Sequence, residues 1–321
     1  MTPPILRSMR ARLVLALAAA AALAAFALPV AGATSPEKLR CFGAPVRDTV
    51  EPCRNPALAT VVFPKPDDAL LYPNAPCDPV YGSTPYQCEF GVPAAEAKGT
   101  IALIGDSHAT HWRSALLTLT DAYGWHGVSM TRSGCTFSTA EPILPGKTKQ
   151  ECLDWREQVW AWFDAHPEVR TVFISQHPGD VVVPAGSTTW RTKVRGFRQA
   201  WRKLPDTVRH IVIIRDTPYV TDTTPDCVKR AMRQKLDAGQ ACALPRTRAL
   251  KRDHAAEAVA NAGVPGLRLV DMTSFMCDDQ SCFPVVGGAL THKDTGHITL
   301  VFGETLGPYL LRKVRALGIK V

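Results

Sequence analysis

The sequence predicts an α/β fold, a three-layer α/β/α sandwich around a doubly wound parallel sheet of about five strands. Three observations predict it. From residue 98 onward, short apolar runs alternate with longer stretches of helical period. The runs are apolar almost throughout, as strands buried on both faces require. The connections are short, and such a strand–helix succession builds a parallel sheet with right-handed crossovers. A chain of 321 residues with 46% hydrophobic content can bury one large core of this kind. No repeat of about 20–50 residues is visible, which excludes a solenoid or propeller.

The elements follow in order. A strand over 100–104 runs into Gly105-Asp106-Ser107-His108, and a helix over 110–123 places Trp112, Ala115, Leu116 and Leu119 on one face. A second strand covers 127–131. A helix over 150–166 carries Leu153, Val159, Trp160 and Phe163. A strand over 169–175 is nearly all apolar apart from Arg170 and Thr171. A helix over 190–204, a strand over 208–214 and a helix over 246–262 come next, the last stopped near Gly263-Val264-Pro265. A short strand over 267–270 and a closing helix over 300–317 complete the domain, 98–321.

Upstream, residues 34–97 are proline-rich, poorly periodic and contain four cysteines. They read as an irregular lead-in held by disulfides; a solvated linker is the other reading, against which Tyr72, Tyr81 and Tyr86 argue for packing. Residues 1–33 read as an export signal. Arg7, Arg10 and Arg12 precede an apolar stretch from Leu13 to about Leu28, and Ala31-Gly32-Ala33 offers small residues for cleavage after Ala33. An uncleaved membrane anchor is the alternative, since the stretch is nearly long enough to span. The location implied is secreted or extracytoplasmic.

The net charge is +8, and without the leader the chain keeps 34 basic against 29 acidic residues. This mild excess looks dispersed. No basic run with interleaved aromatics appears, so nucleic acid is not an expected partner. The ten cysteines fall as close pairs in sequence: Cys41 and Cys53, Cys77 and Cys88, Cys135 and Cys152, Cys227 and Cys242, Cys277 and Cys282. An even count behind an export signal reads as disulfides, whose connectivity spacing does not prove. Zinc would want Cys-x-x-Cys or His-x-x-x-His spacing. Neither is present, so neither a metal nor a cofactor is expected.

The chemistry lies in two short stretches. Ser107 sits where the first strand hands over to a helix, at the carboxyl end where open α/β sheets bind ligands. Asp-Ser before a helix is also a plain N-cap. Asp294-Thr295-Gly296-His297 puts a carboxylate three residues before an imidazole, so that the acid can fix the ring while it takes a proton from a serine. His297 and Asp294 can equally cap the last helix. Asp106 reads as structural. His111 is a rival base, though helical geometry would carry it away from the hydroxyl. His108 and His292 are also present, and Asp271 reads as a loop cap.

Gly-Asp-Ser-His early and Asp-x-x-His late resemble the SGNH (GDSL-like) esterase and acyltransferase superfamily. Further stretches match in order: Ser133-Gly134-Cys135, Cys152-Leu153-Asp154-Trp155-Arg156, Asp216-Thr217-Pro218, Pro225-Asp226-Cys227, Cys277 to Cys282, and Asp294 to Thr299. Together they resemble the extracytoplasmic SGNH domain often fused to multi-helix membrane acyltransferases that O-acetylate bacterial surface glycans. The likeness runs from about Cys77 to the C-terminus. It implies a flavodoxin-like SGNH fold, nearest-neighbour disulfides, and a Ser107–His297–Asp294 triad. It also implies an oxyanion hole from the N–H groups of Ser107 and Gly134. One block departs: where the superfamily has Gly-x-Asn, this chain reads Ser175-Gln176-His177-Pro178-Gly179. Gln176 or His177 is then the candidate third donor. The implied activity is O-acyl, chiefly O-acetyl, transfer or hydrolysis on glycans or small acyl esters, with a multi-helix membrane acyltransferase as partner. The missing Asn supports a second reading, a non-catalytic scaffold that binds glycan or cell wall.

Overall fold

The apolar runs form the central sheet. The computed structural model describes residues 36–183 and 189–319; the expected leader, 1–33, lies outside the described residues. Seven strands join in the order β1-β2-β4-β3-β5-β6-β8. They are β1 (Asp78–Val80), β2 (Gln87–Gly91), β3 (Gly99–Gly105), β4 (Trp125–Thr131), β5 (Thr171–Ser175), β6 (His210–Ile214) and β8 (Leu267–Val270). Two-residue strands lie outside this sheet: β7 (Leu244–Pro245) pairs with β9 (Ser281–Cys282), and β10 (Val285–Val286) with β11 (Ala289–Leu290). The five strands β4, β3, β5, β6 and β8 are parallel, as the apolar runs imply. Their order is the flavodoxin-like one, with the switch point between β3 and β5.

Two antiparallel strands extend the sheet beyond the five. The segment 34–97, expected to be irregular, contains short 3-10 turns and the β1–β2 hairpin, and β2 pairs along the outer edge of β4. Its proline content hid the hairpin, because the strands are short and lie at the edge, where proline is tolerated. Phe90 of β2 is buried with the main core.

Each parallel strand serves both faces, since successive side chains alternate. Ile101 and Leu103 of β3 join Phe173 and Val212 under α2 (Arg113–Tyr123) and α9 (Leu300–Ala316). Ala102 and Ile104 join Val172, Ile174, Ile211 and Ile213 under α3 (Gly146–Ala165), α4 (Thr189–Arg202) and α8 (His254–Val259). Burying one such side chain is worth about 1.5–3 kcal/mol. The α2–α9 contact is close because α9 presents glycine there. A Cβ on Gly303 would fall 2.0 Å from Ser114 Oγ, and one on Gly307 2.0 Å from Thr118 Oγ1. This packing sets the late Asp-x-x-His turn beside the start of α1 (Ser107–Thr110).

Two expected helices are interrupted. The 110–123 helix starts as α1 and breaks at His111 and Trp112 before α2. The 246–262 helix splits into α7 (Arg246–Ala249) and α8. Asp253 causes the second break. Its side chain caps α8 through the N–H groups of Ala255 and Ala256, and its other oxygen accepts the Asp216 N–H at 2.8 Å. Two further helices, α5 (Thr224–Arg233) and α6 (Ala238–Ala241), fill the stretch after β6 and are joined by Cys227–Cys242. The other disulfides also link sequence neighbours: Cys41–Cys53, Cys77–Cys88, Cys135–Cys152 and Cys277–Cys282. Closing a loop the size of 135–152 is worth about 3 kcal/mol in the chain-entropy account. No helix among the described residues is long and apolar enough to cross a membrane.

Candidate active site

Gly105 ends β3 with φ 142°, and a Cβ there would lie 1.9 Å from the Ser175 carbonyl oxygen of β5. Only glycine lets the two strand ends approach this closely. Asp106 then ties them together. One carboxylate oxygen accepts the His108 N–H at 2.8 Å and starts α1; the other accepts the His177 N–H at 2.9 Å. Burial pushes the Asp106 carboxyl up to about 6, against the pull of His108 and these two bonds. The residue holds the turn that carries Ser107, as the sequence indicated.

The opposite wall is a hairpin that precedes α9. Thr299 N–H donates to the Thr291 carbonyl and Lys293 N–H to the His297 carbonyl, both at 2.9 Å. Val220 N–H, after β6, donates to the Thr295 carbonyl at 3.0 Å. Thr299 caps α9 through the Phe302 N–H. The hairpin aims His297 at the start of α1, 190 residues away in the chain. His297 Nε2 lies 2.8 Å from Ser107 Oγ. His297 Nδ1 lies 2.8 Å and 3.0 Å from the two oxygens of Asp294. Burial alone would raise the Asp294 carboxyl. Hydrogen bonds from the His297 ring and from the N–H groups of Gly296 and His297 outweigh it and hold the acid below the usual carboxylate range. Asp294 is therefore ionised near neutrality. It fixes His297 as the Nδ1–H tautomer, which leaves Nε2 as an acceptor for the serine proton.

A family profile described as "SGNH domain (fused to AT3 domains)" matches residues 73–312. The chain belongs to this family. Among solved structures it is similar to the periplasmic domain of the lipopolysaccharide acetyltransferase of Salmonella ser. Paratyphi A. That likeness has a TM-score of 0.53 and 15% identity, over 70% of this chain and 90% of that one. It is also similar to a family two carbohydrate esterase from Clostridium thermocellum, at a TM-score of 0.39 and 10% identity, over 69% of this chain and 64% of that one. The first likeness shows the fold alone. No curated protein sequence matches.

A second Asp–His pair stands behind the first in this SGNH domain. His108, next to Ser107, points its Nδ1 at Asp216 Oδ1, 2.6 Å away, and both side chains are about 3% exposed. Tyr219 OH donates to the other Asp216 oxygen at 2.9 Å. The His108 ring lies 4.7 Å from that of His297 and 4.7 Å from that of His177. Burial lowers the His108 imidazole, but the Asp216 bond and charge raise it above the ordinary histidine value. Gly296 leaves room for this pair, since a Cβ there would meet the His108 and Tyr219 rings at 3.2 Å. Asp216, Tyr219 and Asp253 were not read as parts of the site from sequence. The available signal was the Asp216-Thr217-Pro218 stretch, which matches the family and stands at the carboxyl end of an apolar strand, but to which no role was given.

The remaining candidates separate. Gly134 occupies an exposed turn after β4 with φ 69°. Gln176 is buried; its Oε1 accepts the Phe137 N–H at 2.9 Å, and its Nε2 has no partner and is shut off from solvent. His177 is half-exposed, and its Nδ1 accepts the Gly179 N–H at 2.9 Å. Its neutral ring therefore carries the proton on Nε2. Burial and the neighbouring His108 hold it down at about 4, so it is neutral near pH 7. His111 is fully enclosed, with neither ring nitrogen partnered, and its ring lies 6.2 Å from that of His297. Burial holds it well below the usual value. His292 Nδ1 meets Thr291 Oγ1 at 2.8 Å, and burial lowers this ring to about 4. Asp271 accepts from Thr273 and pairs with Arg215, as a loop cap does. Among the described residues no group of three or more His, Cys, Asp or Glu side chains is arranged to hold a metal ion.

Proposed function

We propose that this chain is an extracytoplasmic serine acyl-ester enzyme that transfers O-acyl groups, acetyl foremost, on surface or cell-wall glycans. The observation that carries this reading is the continuous Asp294–His297–Ser107 chain, with 2.8 Å at each link. His297 Nε2 takes the Ser107 proton as Oγ bonds to the acyl carbonyl carbon. The carbonyl electrons move onto oxygen. The Ser107 and Gly134 N–H groups and the His177 Nε2–H are the donors assigned to that oxyanion. Collapse expels the donor's alcohol, which takes the proton back from His297, and leaves acyl-Ser107. An acceptor hydroxyl then gives its proton to His297 as its oxygen bonds to the acyl carbon; the bond from that carbon to Oγ breaks, and Ser107 Oγ takes the proton back from His297. Water in its place gives hydrolysis by the same steps.

His177 is preferred over Gln176 as third donor because its side chain is partly exposed, whereas the Gln176 amide nitrogen is shut off from solvent. It would replace the Asn side chain that the superfamily's third block supplies. Transfer rather than hydrolysis is supported by the family's association with AT3 domains and by the acetyltransferase among the fold neighbours. The acyl group would come from a multi-helix membrane acyltransferase partner. Five disulfides support an oxidising, extracytoplasmic setting. The enzymatic reading is favoured over a non-catalytic glycan-binding scaffold because a scaffold has no use for an oriented base on Ser107. A fluorophosphonate probe tests this directly. Ser107 should label in the parent protein and fail to label in His297→Ala. An unlabelled parent would end the enzymatic reading. Acetyl release from a chromogenic ester, with and without a glycan acceptor, separates transfer from hydrolysis.

A further inference from the structure

The helix α4 gathers a charge that looks scattered in the sequence. Arg191, Arg195, Arg198 and Arg202 recur at helical spacing and share one face. The helix contains no acidic residue. Among the described residues no carboxylate pairs with any of the four, whereas Arg215, Arg252 and Arg312 each have an acidic partner. Arg198 and Arg202 are held in place by carbonyl oxygens at the end of α8, Ala258 and Ala260 for the first and Ala262 for the second. Their charge is thus ordered and left unneutralised. The four arginines, with Trp190, Val194 and Gln199, border about 530 Å³ of open space along the outer face of the helix. At 1.5 Å per residue the row spans about 17 Å.

The N-terminal end of this face lies at the catalytic edge, because α4 follows β5 and runs back to the parallel strand β6. Lys193 Nζ donates at 2.9 Å to the carbonyl of Pro178, the residue after His177. At this same end Trp190 is 37% exposed, with the guanidinium carbons of Arg191 and Arg252 at 5.2 Å and 4.9 Å from its ring. Arginine forks match carboxylate and phosphate groups, and among the described residues no backbone or carboxylate bond engages the forks of Arg191 and Arg195. Lipid is a poorer occupant. A surface helix that inserts into a bilayer needs a broad apolar face. Here Val194 and Phe197 are buried against the core, so Trp190 is the one exposed apolar side chain of the helix.

We propose that the outer face of α4 is a subsite for an anionic glycan chain bearing carboxylate or phosphate groups. It tracks that chain toward Ser107 and so selects an acidic acceptor. The proposal rests on the acyl-transfer reading for its purpose, but binding can be measured without turnover.

The test uses the full chain carrying Ser107→Ala. Its affinity is measured for polygalacturonate, phosphorylated dextran, unmodified dextran, vesicles containing phosphatidylglycerol, and double-stranded DNA. One or both anionic glycans should bind, weakening as salt rises, and unmodified dextran should not. The arm that binds identifies the anion. Adding Arg191→Glu with Arg195→Glu should weaken that binding at least tenfold. A charge-matched control elsewhere, Lys65→Glu with Arg233→Glu, should change it less than twofold. Unfolding curves establish that each variant is folded. The proposal is overturned if neither anionic glycan binds, if the α4 reversal matches the control, or if vesicles or DNA bind as tightly as the glycan. Fluorophosphonate labelling of the parent Ser107 is read separately, so loss of the acyl-enzyme reading is told apart from loss of the subsite.

Discussion

The molecule holds two Asp–His pairs side by side, and they differ in what surrounds them. Asp294–His297 is half-exposed, and the second nitrogen of its ring meets a serine hydroxyl. Asp216–His108 is almost wholly buried, with Asp216 further held by Tyr219 OH and by its own N–H on Asp253. A carboxylate on one side of an imidazole does not make it a base. What the other nitrogen reaches, and whether substrate can arrive there, decides the role. The buried pair acts as a strut. It ties the end of β6 to α1 and gives the His297 ring a wall 4.7 Å away.

Substitutions can break this comparison or sharpen it. The largest expected effect is that of Asp294→Asn, which destroys the tautomer His297 needs. Turnover of a chromogenic acetyl ester should fall roughly 10⁴-fold while the fold is kept. Asp216→Asn should give the reverse signature. It strands a buried imidazole and should cost about 3–5 kcal/mol in denaturant unfolding, with turnover reduced far less than by Asp294→Asn. Equal losses of turnover from the two variants, with stability intact, would erase the distinction between the pairs.

His177→Phe comes next. As an oxyanion donor its loss should lower kcat roughly 10²-fold with little change in KM. Gln176→Ala should lower kcat by much less and should show mainly in stability, because its side chain serves the Phe137 backbone.

The smallest effects are those of pH on stability. His177 and His292 are held at about 4, and His111 well below the usual value. As pH falls through about 6.5 the unfolded chain takes up protons that the folded chain refuses, so these three lower stability between about pH 6.5 and 4. His108 has the opposite sign. Its folded value is raised, so its contribution is complete below about 6.5 and fades as pH rises through the folded value. Asp106 also opposes the three rings, because its carboxyl, raised to about 6, takes up a proton in the folded chain first. Three refusing rings outweigh these two groups, so the melting temperature should fall from pH 7 to pH 5. His111→Phe should flatten that slope. A slope unchanged in that variant would count against His111 as one of its sources.

The sheet and the stretches around Ser107 and His297 were legible because their signals are local. An apolar run ends in Gly-Asp-Ser, and a carboxylate precedes an imidazole by three residues. The supporting residues were illegible for the converse reason. Asp216, Tyr219 and Asp253 act through contacts with His108 and with each other, over separations that no periodicity reports. Asp253 breaks an otherwise acceptable helix to reach the Asp216 backbone, so local preference pointed the wrong way there. The arginines of α4 read as dispersed along the chain because only a turn of 3.6 residues brings them onto one face.

The β1–β2 hairpin bears on where this protein can be cut. A fragment beginning at residue 98 would keep every strand of the parallel array and all three catalytic candidates. It would also strip the cover from β4, leaving a bare row of peptide groups from Trp125 to Ser129 for another molecule to pair with. The least stretch that can live alone is therefore longer than the stretch that carries the chemistry.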